Sequence, residues 1–339
     1  MASTTTISAS AASSTPSATC ITIAPGKNGY LPPESCDAIL YYIPSFEAAI
    51  FLCVLYGLVA LVHIIQAIIY KKRYAWVLIM GAVWELLAFI FRALQTRHQN
   101  SEIYDTFYVI FFLLAPIWIN AFLYMTLGRM IYFFLPERRL AGISARRYGI
   151  IFVTLDIIAF LVQLAGAALT TNNDANDAET KTVLLGLHIY MGGIGMQEFF
   201  ILCFLGLAIH LHRTIIQMEE MGQTGMEQLQ RGRFPWRWLF YTIYFTLGMI
   251  TIRIIFRMAQ YAQGTSTTNP VLTHEVYEYV FDAAPMFLAL IALNIIHPGM
   301  ILKGPYSSFP KQSRAEKKEQ KAQKKAFKME KKRQRQSPV

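Results

Sequence analysis

The chain has 339 residues, of which 54% are apolar and only 15% are charged, and its mean hydropathy is +0.36. A soluble domain carries about 25% charged residues, so this composition argues against a cytosolic globular enzyme. The net charge of +10 comes from residues 303–339, which hold 13 Lys and Arg and three acids. Residues 1–302 hold 18 charges of each sign. The body of the protein is therefore neutral, which argues against nucleic-acid binding.

Residues 1–40 are predicted to form a mostly disordered extracellular arm. The first twenty contain eleven Ser or Thr and no charge, and they lack the basic start and apolar core of a cleavable signal peptide. Cys20 and Cys36 lie in this arm and would pair in a disulfide if it faces an oxidising space. Two unpaired thiols remain the alternative, because sequence specifies a single pair in a flexible arm poorly.

Seven apolar segments follow the arm, and each is long enough to cross a membrane. A spanning helix needs about 20 mostly apolar residues. The segments cover residues 45–70, 74–94, 103–134, 148–170, 183–211, 237–261 and 276–302. The predicted fold class is therefore all-α, a polytopic membrane protein in which one bundle of seven transmembrane helices fills residues 41–302.

The basic residues of the loops predict the orientation of this bundle. The loops after the first, third and fifth helices carry three, four and four Lys or Arg, and the other loops carry one, one and none. Cytoplasmic loops are the ones enriched in Lys and Arg. We therefore expect the N-terminus outside and the C-terminus in the cytoplasm, as an odd number of spans requires.

Charged side chains inside a membrane are costly, so each one is a functional-site hypothesis. Three helices carry two such residues, spaced by four or seven positions and hence on one helix face. They are Glu85 and Arg92 on the second helix, Arg253 and Arg257 on the sixth, and Glu278 and Asp282 on the seventh. In the predicted topology they share the outer half of the bundle, with Glu85 deeper.

Two interpretations of these charges stay open. In the first, they form an ion-pair network that holds the second, sixth and seventh helices together. In the second, they line a water-filled cavity and bind a polar head group or carry a coupling proton. Asp156 on the fourth helix, Gln197 and Glu198 on the fifth, and Arg129 at the inner end of the third extend the set of candidates.

Several chemistries have no signature in the chain. There is no G-x-x-x-x-G-K-[ST] phosphate loop and no G-x-S-x-G nucleophile elbow. No Lys lies within a predicted span, and the seven His are scattered rather than grouped as metal ligands. The sequence therefore predicts no enzyme, no cofactor and no metal site.

Six blocks of the sequence resemble the fungal lipid-translocating exporters, also called RTA-like proteins. The blocks are LLAPIWINAFLYMTLGRM (113–130), FVTLDIIAFLVQLAGA (152–167), GMQEFFILCFLGLAI (195–209), RIIFRMAQYAQG (253–264), HEVYEYVFDAAPM (274–286) and HPG (297–299). With Glu85 and Arg92 they cover nearly the whole body of the chain. Departures from the family pattern are Gln260, where the family often has Glu, Ala167 and Ala168 near a usual Gly-Gly pair, and the extra charge of Glu198.

The resemblance implies an integral membrane protein of a fungus, often of the plasma membrane. It implies export or transbilayer movement of sphingoid long-chain bases, resistance to amphipathic toxins, or porphyrin uptake. The family pattern falls here on Glu85, Arg92, Arg129, Asp156, Gln163, Gln197, Arg253, Arg257, Glu275 and Asp282. The expected partners are membrane lipids and an amphipathic small-molecule substrate, and no nucleic acid.

The predicted function is therefore a membrane transporter or translocator of lipid-like amphiphiles. One alternative is a seven-span, receptor-like stress-signalling protein, with Arg129 as a cytoplasmic switch residue. Another is a regulator of lipid asymmetry that transports nothing itself. The basic tail, residues 303–339, is expected to be drawn to anionic lipid at about 1 kcal/mol per Lys or Arg near the surface, or else to be a solvated segment that aids topology or sorting.

Overall fold

A computed structural model of the protein describes residues 22–32, 35, 39–40, 42–170, 177–222, 235–262, 269–302, 309, 322 and 329. Over these ranges, seven helices are long and apolar enough to cross a membrane. These spans, called first to seventh below, are Phe46–Tyr70, Arg73–Arg97, Glu102–Phe134, Ala145–Thr170, Lys181–Glu220, Arg237–Ala262 and Glu275–Ile301. The predicted seven-helix membrane fold is thereby confirmed.

The ends of the first helix show how local sequence sets its bounds. The Ser45 side chain accepts a hydrogen bond from the Ala48 backbone N–H at 3.3 Å, which satisfies one of the free donors at the helix start. At the other end Lys71 adopts a left-handed conformation with φ of 51°. A short 3-10 turn, Arg73–Ala75, then leads into the second helix, Trp76–Arg97.

A tight hairpin joins the third and fourth spans. Strands Arg139–Leu140 and Ile143–Ser144 pair antiparallel. Ala141 and Gly142, between them, both have positive φ, as a two-residue type I′ turn requires. The Tyr148 hydroxyl donates to the Leu140 carbonyl oxygen at 2.5 Å, so the start of the fourth helix is fixed against this hairpin.

The fifth helix is longer than predicted. It runs over Asp177–Glu220, 44 residues, instead of 183–211. At 1.5 Å per residue it measures about 66 Å, roughly twice the hydrocarbon thickness of a membrane. Ile215 and Met218 remain buried beyond the predicted end, so packing continues the helix where hydropathy alone would stop it.

The seventh span is not a uniform α-helix. A short helix, Pro270–Thr273, precedes it, and its own residues form an α-turn at Glu275–Glu278, a π-helical segment at Tyr279–Ala283, an α-helix at Ala284–Ile295 and a last turn at Pro298–Ile301. Pro285 follows the π segment and has no N–H to offer the preceding turn. The Tyr56 hydroxyl donates to the Ala283 carbonyl oxygen at 2.7 Å, which satisfies one backbone acceptor of this irregular stretch.

The seven spans close into a ring. Each span contacts its neighbour in sequence, and the seventh contacts the first. Large apolar side chains such as Phe51, Ile68 and Ile150 are exposed on the outside, as expected for a surface that faces lipid. Spans one, three, five and seven begin at the same end of the ring, called the N-terminal end below, where spans two, four and six finish.

Candidate functional site

The charged residues predicted on three spans meet at the N-terminal end of the bundle. Arg92 lies near the end of the second span, Arg253 and Arg257 near the end of the sixth, and Glu278 and Asp282 near the start of the seventh. Antiparallel neighbours place these positions at one level. We call these residues, together with Glu85, Glu275 and Asp105, the charged cluster.

Asp282 holds the deeper half of the charged cluster together. Its two carboxylate oxygens pair with different arginines: Oδ1 lies 2.5 Å from Arg253 Nε, and Oδ2 contacts Arg257 Nε. Arg253 also reaches Glu85, with Nη1 3.7 Å from Oε1, and donates through Nη2 to the Phe112 carbonyl oxygen at 2.9 Å. Asp282 and Glu85 are fully buried, so these pairs are shielded from solvent screening.

Arg92 organises the shallower half. Its Nη2 lies 3.2 Å from Glu275 Oε1 and 3.6 Å from Glu278 Oε2, and its guanidinium stands over the Tyr108 ring at 4.9 Å from the centroid. Glu278 Oε1 is 3.9 Å from Arg257 Nη2. Glu278 therefore joins the two halves into one network across the second, sixth and seventh spans.

Tyrosine hydroxyls complete the hydrogen bonding of Glu278. Tyr108 donates to Oε1 at 2.8 Å and Tyr42 donates to Oε2 at 3.1 Å. Tyr42, which precedes the first span, also accepts a hydrogen bond from Arg92. Burial, and then the negative charge of Glu278, raises the pKa of the Tyr42 phenol, so Tyr42 stays protonated and remains a donor.

A cavity of about 190 Å³ lies against the charged cluster. Its wall includes Arg92, Arg257, Glu278, Asp105 and the aromatic rings of Tyr42 and Tyr108. Glu275 and Glu278 keep 10% and 14% of their side-chain surface exposed, whereas Arg92 keeps 1%. Arg257 keeps 11%, so both carboxylates and Arg257 have residual access, whereas the Arg92 guanidinium has almost none.

Counting charges shows an excess of anions in the charged cluster. With every group ionised the formal balance is −2, from five carboxyl groups and three arginines: Glu85, Asp105, Glu275, Glu278 and Asp282 against Arg92, Arg253 and Arg257. Asp105 is linked to Arg92 through Gln95, which accepts from the arginine at 2.8 Å and donates to Asp105 at 2.7 Å. A pre-built site of this sign favours a cationic ligand.

The sequence predicts three cations and three anions in this cluster, and the structure adds two further acids, Glu275 and Asp105. Glu275 entered only through the family resemblance, and Asp105 was not singled out. Glu275 is three residues before Glu278, so helical spacing was an available signal for it. Asp105 stands alone at the start of the third span, and only the tertiary structure brings it to Arg92.

A second polar group lies deeper, between the fourth and fifth spans. Gln163 Nε2 donates to Gln197 Oε1 at 2.9 Å. Both residues line a small cavity of about 40 Å³ with Arg253 and Arg257. Tyr190 and Arg257 belong to the walls of both this cavity and the larger one, so the glutamine pair adjoins the charged cluster.

Asp156 and Glu198, in contrast, lie outside the charged cluster. Asp156 is buried and accepts hydrogen bonds through Oδ2 from Tyr124 at 2.9 Å and Asn120 at 3.1 Å. Glu198 Oε1 accepts from the Thr251 hydroxyl at 3.0 Å. Among the described residues, neither carboxylate has an arginine or lysine within ion-pair distance.

The remaining candidates separate from the site as well. Arg129 lies at the opposite end of the bundle, where its guanidinium stands 3.7 Å from the centroid of the Tyr74 ring. Cys20 and Cys36 fall outside the described residues, so their disulfide stays a prediction. Among the residues that the structure describes, no three His, Cys, Asp or Glu side chains form a group able to hold a metal ion.

Comparison with known proteins identifies relatives along nearly the whole chain. A family model described as RTA1 like protein matches residues 78–305. A probable lipid transporter, atnI, of Emericella nidulans is 57% identical over 306 residues, which is 90% of this chain and 79% of that protein. The sphingoid long-chain base transporter RSB1 of Saccharomyces cerevisiae is 27% identical over 79% of this chain and 75% of its own length.

A third relative carries a different name. The protoporphyrin uptake protein 1 of Saccharomyces cerevisiae is 26% identical over 217 residues, which is 63% of this chain and 65% of that protein. No solved structure matches the chain significantly.

Proposed function

The chain belongs to the RTA1-like protein family, and we propose that it transports amphipathic lipids with a cationic head group, sphingoid long-chain bases being the model substrate. The observation that carries this proposal is the charged cluster, in which five carboxyl groups accompany three arginines, beside a cavity whose wall includes Glu278 and Asp105. Relatives named as a lipid transporter and a sphingoid long-chain base transporter support the same class of activity.

The shallow carboxylates are the proposed head-group ligands. An ammonium group entering the cavity meets Glu278 in its wall, and Glu275 lies on the same helical turn as Glu278. The oxygens of both carboxylates are held in place by the hydroxyls of Tyr42, Tyr108 and Tyr279. The ammonium group competes with Arg92, whose Nη2 lies 3.2 Å from Glu275 Oε1 and 3.6 Å from Glu278 Oε2. Substrate binding thus adds a cation beside carboxyl groups that outnumber the arginines, which lowers the uncompensated negative charge in a low-dielectric region.

The deeper pairs are proposed to stay formed while the substrate moves. Asp282 and both of its arginines are more buried than Glu278 and make shorter contacts. They fix the spacing between the sixth and seventh spans. The lipid tail remains in the bilayer beside the exposed apolar faces of the spans, which avoids the cost of carrying about a dozen methylene groups through water.

The proposed setting is the plasma membrane of a fungal cell. Residues 1–40 form the outer arm, 41–302 the transporting bundle and 303–339 a cytoplasmic tail that anionic lipid attracts. In this orientation the charged cluster lies towards the outer leaflet, where it would receive or release substrate. Neither catalysis nor a cofactor is part of this proposal.

The direct test measures lipid movement in proteoliposomes that contain the purified full-length chain. We expect transbilayer movement of a labelled sphingoid base at a rate well above that of empty vesicles. Glu278→Gln should slow this movement by about tenfold, because losing a charged hydrogen-bonding partner costs roughly 1.5 kcal/mol. Glu219→Gln removes an exposed carboxylate paired with Arg237 and should change nothing.

The choice of lipid makes the test specific. A fatty acid with a similar chain carries the opposite charge and should move no faster than in empty vesicles. Equal rates for the cationic base and the fatty acid would contradict the charge argument. A receptor or a regulator of other pumps would move neither lipid. Rates equal to those of empty vesicles for both lipids would therefore reject the transporter function itself.

A further inference from the structure

The described residues form a second large groove, at the opposite end of the bundle from the charged cluster. It encloses about 430 Å³ between the third and fourth spans. Apolar side chains and glycines make its walls: Met125 and Gly128 on the third span, and Gly149, Ile150 and Val153 on the fourth. Ile150 is 70% exposed, so the groove opens onto the surface that faces lipid.

Two glycines explain why the spans converge beneath the groove. A Cβ at Gly128 would lie 2.6 Å from the Ala145 carbonyl oxygen, and one at Gly149 would lie 3.2 Å from Met125 Cγ. The backbones therefore approach closely at this crossing.

Two arginines stand at the mouth of the groove. Arg129 and Arg146 both line it, and the centroid of the Phe309 ring is 5.3 and 5.4 Å from their guanidinium carbons. Arg129 Nη1 donates to the Met125 carbonyl oxygen at 2.8 Å. Within the described part of the chain, no carboxylate lies within ion-pair distance of Arg129, and its buried Nε has no hydrogen-bond acceptor.

Positive charge accumulates here, in contrast to the other end of the bundle. Lys72, in the loop after the first span, is close enough to be affected: burial, and then the charge of Arg129, lowers the pKa of its ammonium group. Two basic side chains thus line the groove, and a third lies near Arg129. A guanidinium that is half removed from water is stabilised most by a planar or tetrahedral oxyanion, which accepts two parallel hydrogen bonds.

We propose that this groove is a binding site for an anionic phospholipid, with the phosphate accepting hydrogen bonds from the Arg129 and Arg146 guanidinium groups and one acyl chain along Gly149 and Val153. Basic pockets between membrane helices are suited to such head groups. The sign of the charge separates this ligand from the cationic substrate proposed for the charged cluster. The inference does not depend on the transport function, because binding is measured without flux.

The test uses the full-length chain in nanodiscs of phosphatidylcholine with a small fraction of labelled palmitoyl-oleoyl phosphatidylserine. We expect the protein to retain phosphatidylserine in preference to phosphatidylcholine that has the same chains. Arg129→Gln together with Arg146→Gln should weaken this binding by tenfold or more, since each cation near a membrane surface contributes about a factor of five. Arg147→Gln changes an exposed neighbour outside the groove and should leave binding unchanged.

Two further arms identify what occupies the groove. Val153→Trp fills the acyl-chain path without altering charge and should weaken phosphatidylserine binding as well. If the double variant fails to fold, Arg146→Gln alone provides the test, because it keeps the contact of Arg129 with Tyr74. A partial loss of phosphatidylserine binding with an unchanged thermal unfolding temperature would then support the proposal. Displacement by inorganic phosphate would overturn the lipid assignment, and equal retention by wild type and Arg146→Gln would overturn the site.

Discussion

At the scale of single residues, Asp282 is the most connected carboxylate of the charged cluster. It is fully buried and bridges Arg253 and Arg257, one through each oxygen. The second carboxylate of each guanidinium is farther away: Glu85 lies 3.7 Å from Arg253, and Glu278 lies 3.9 Å from Arg257. The cost of burying two cations is therefore offset mainly by one side chain.

This arrangement predicts a large effect of Asp282→Asn. Removing one partner of a buried ion pair leaves uncompensated charge and costs about 3–5 kcal/mol. We expect the free energy of unfolding in detergent, measured by denaturant titration, to fall by this amount. Glu219→Gln is the matched control: its pair with Arg237 is 22% and 48% exposed, so the loss should stay below about 1 kcal/mol.

Equal effects of the two substitutions would show that water reaches Asp282. In that event the deeper pairs would be screened like surface pairs, and their proposed role in fixing the sixth and seventh spans would be wrong.

At the scale of elements, the contact between the fourth and fifth spans depends on glycines that differ in role. The fifth span carries Gly192, Gly193 and Gly195. A Cβ at Gly193 would lie 2.9 Å from the Gln163 backbone nitrogen and 3.0 Å from the Ala159 carbonyl oxygen, whereas one at Gly192 or Gly195 meets no atom within 4 Å. Of these three glycines only Gly193 is at the helix crossing, where Gly166 on the fourth span and Gly186 on the fifth also lie.

Substitution of adjacent glycines tests this geometry. Gly193→Ala should lower the free energy of unfolding by about 1–3 kcal/mol, because backbone atoms must move apart to admit the methyl group. Gly192→Ala should leave it unchanged or raise it by up to about 1 kcal/mol, since Ala favours the helix more than Gly. Thermal unfolding of both variants in the same detergent provides the comparison, and equal shifts would contradict the close crossing.

The seventh span shows how an irregular element shapes the site. Pro285 has no N–H to donate to the preceding turn, and a π-helical segment, Tyr279–Ala283, ends two residues before it. The segment contains Asp282. Each residue of a π turn rotates less about the helix axis than a residue of an α-helix does. Such turns are frequent at functional sites.

At the scale of the whole molecule, an odd number of spans places the two termini on opposite sides of the membrane. The bias of Lys and Arg in the loops predicts the N-terminus outside. We expect an epitope tag before Met1 to be labelled by antibody on intact cells, and a tag after Val339 to be labelled only after permeabilisation. Labelling of the second tag on intact cells would place the charged cluster on the cytoplasmic side and reverse the proposed transport geometry.

The opposite signs of the two ends are also a property of the whole molecule. The charged cluster has an excess of carboxylates, and the groove at the other end is lined by arginines. Neither sign follows from the net charge of residues 1–302, which is zero. The asymmetry is one of position: five acids and three arginines meet at one end of the ring, and Arg129 and Arg146 line the groove at the other.

Sequence alone determined the number of spans, most of their bounds and which spans carry charge. These follow from local properties, because a segment in lipid must be apolar and must satisfy its own backbone as a helix. The pairing of Arg92 with Glu275 and the separation of Asp156 from the charged cluster were decided only by the tertiary structure. Ion pairs act over 3 to 4 Å, and which side chains come that close depends on the rotation and vertical offset of helices that are far apart in sequence.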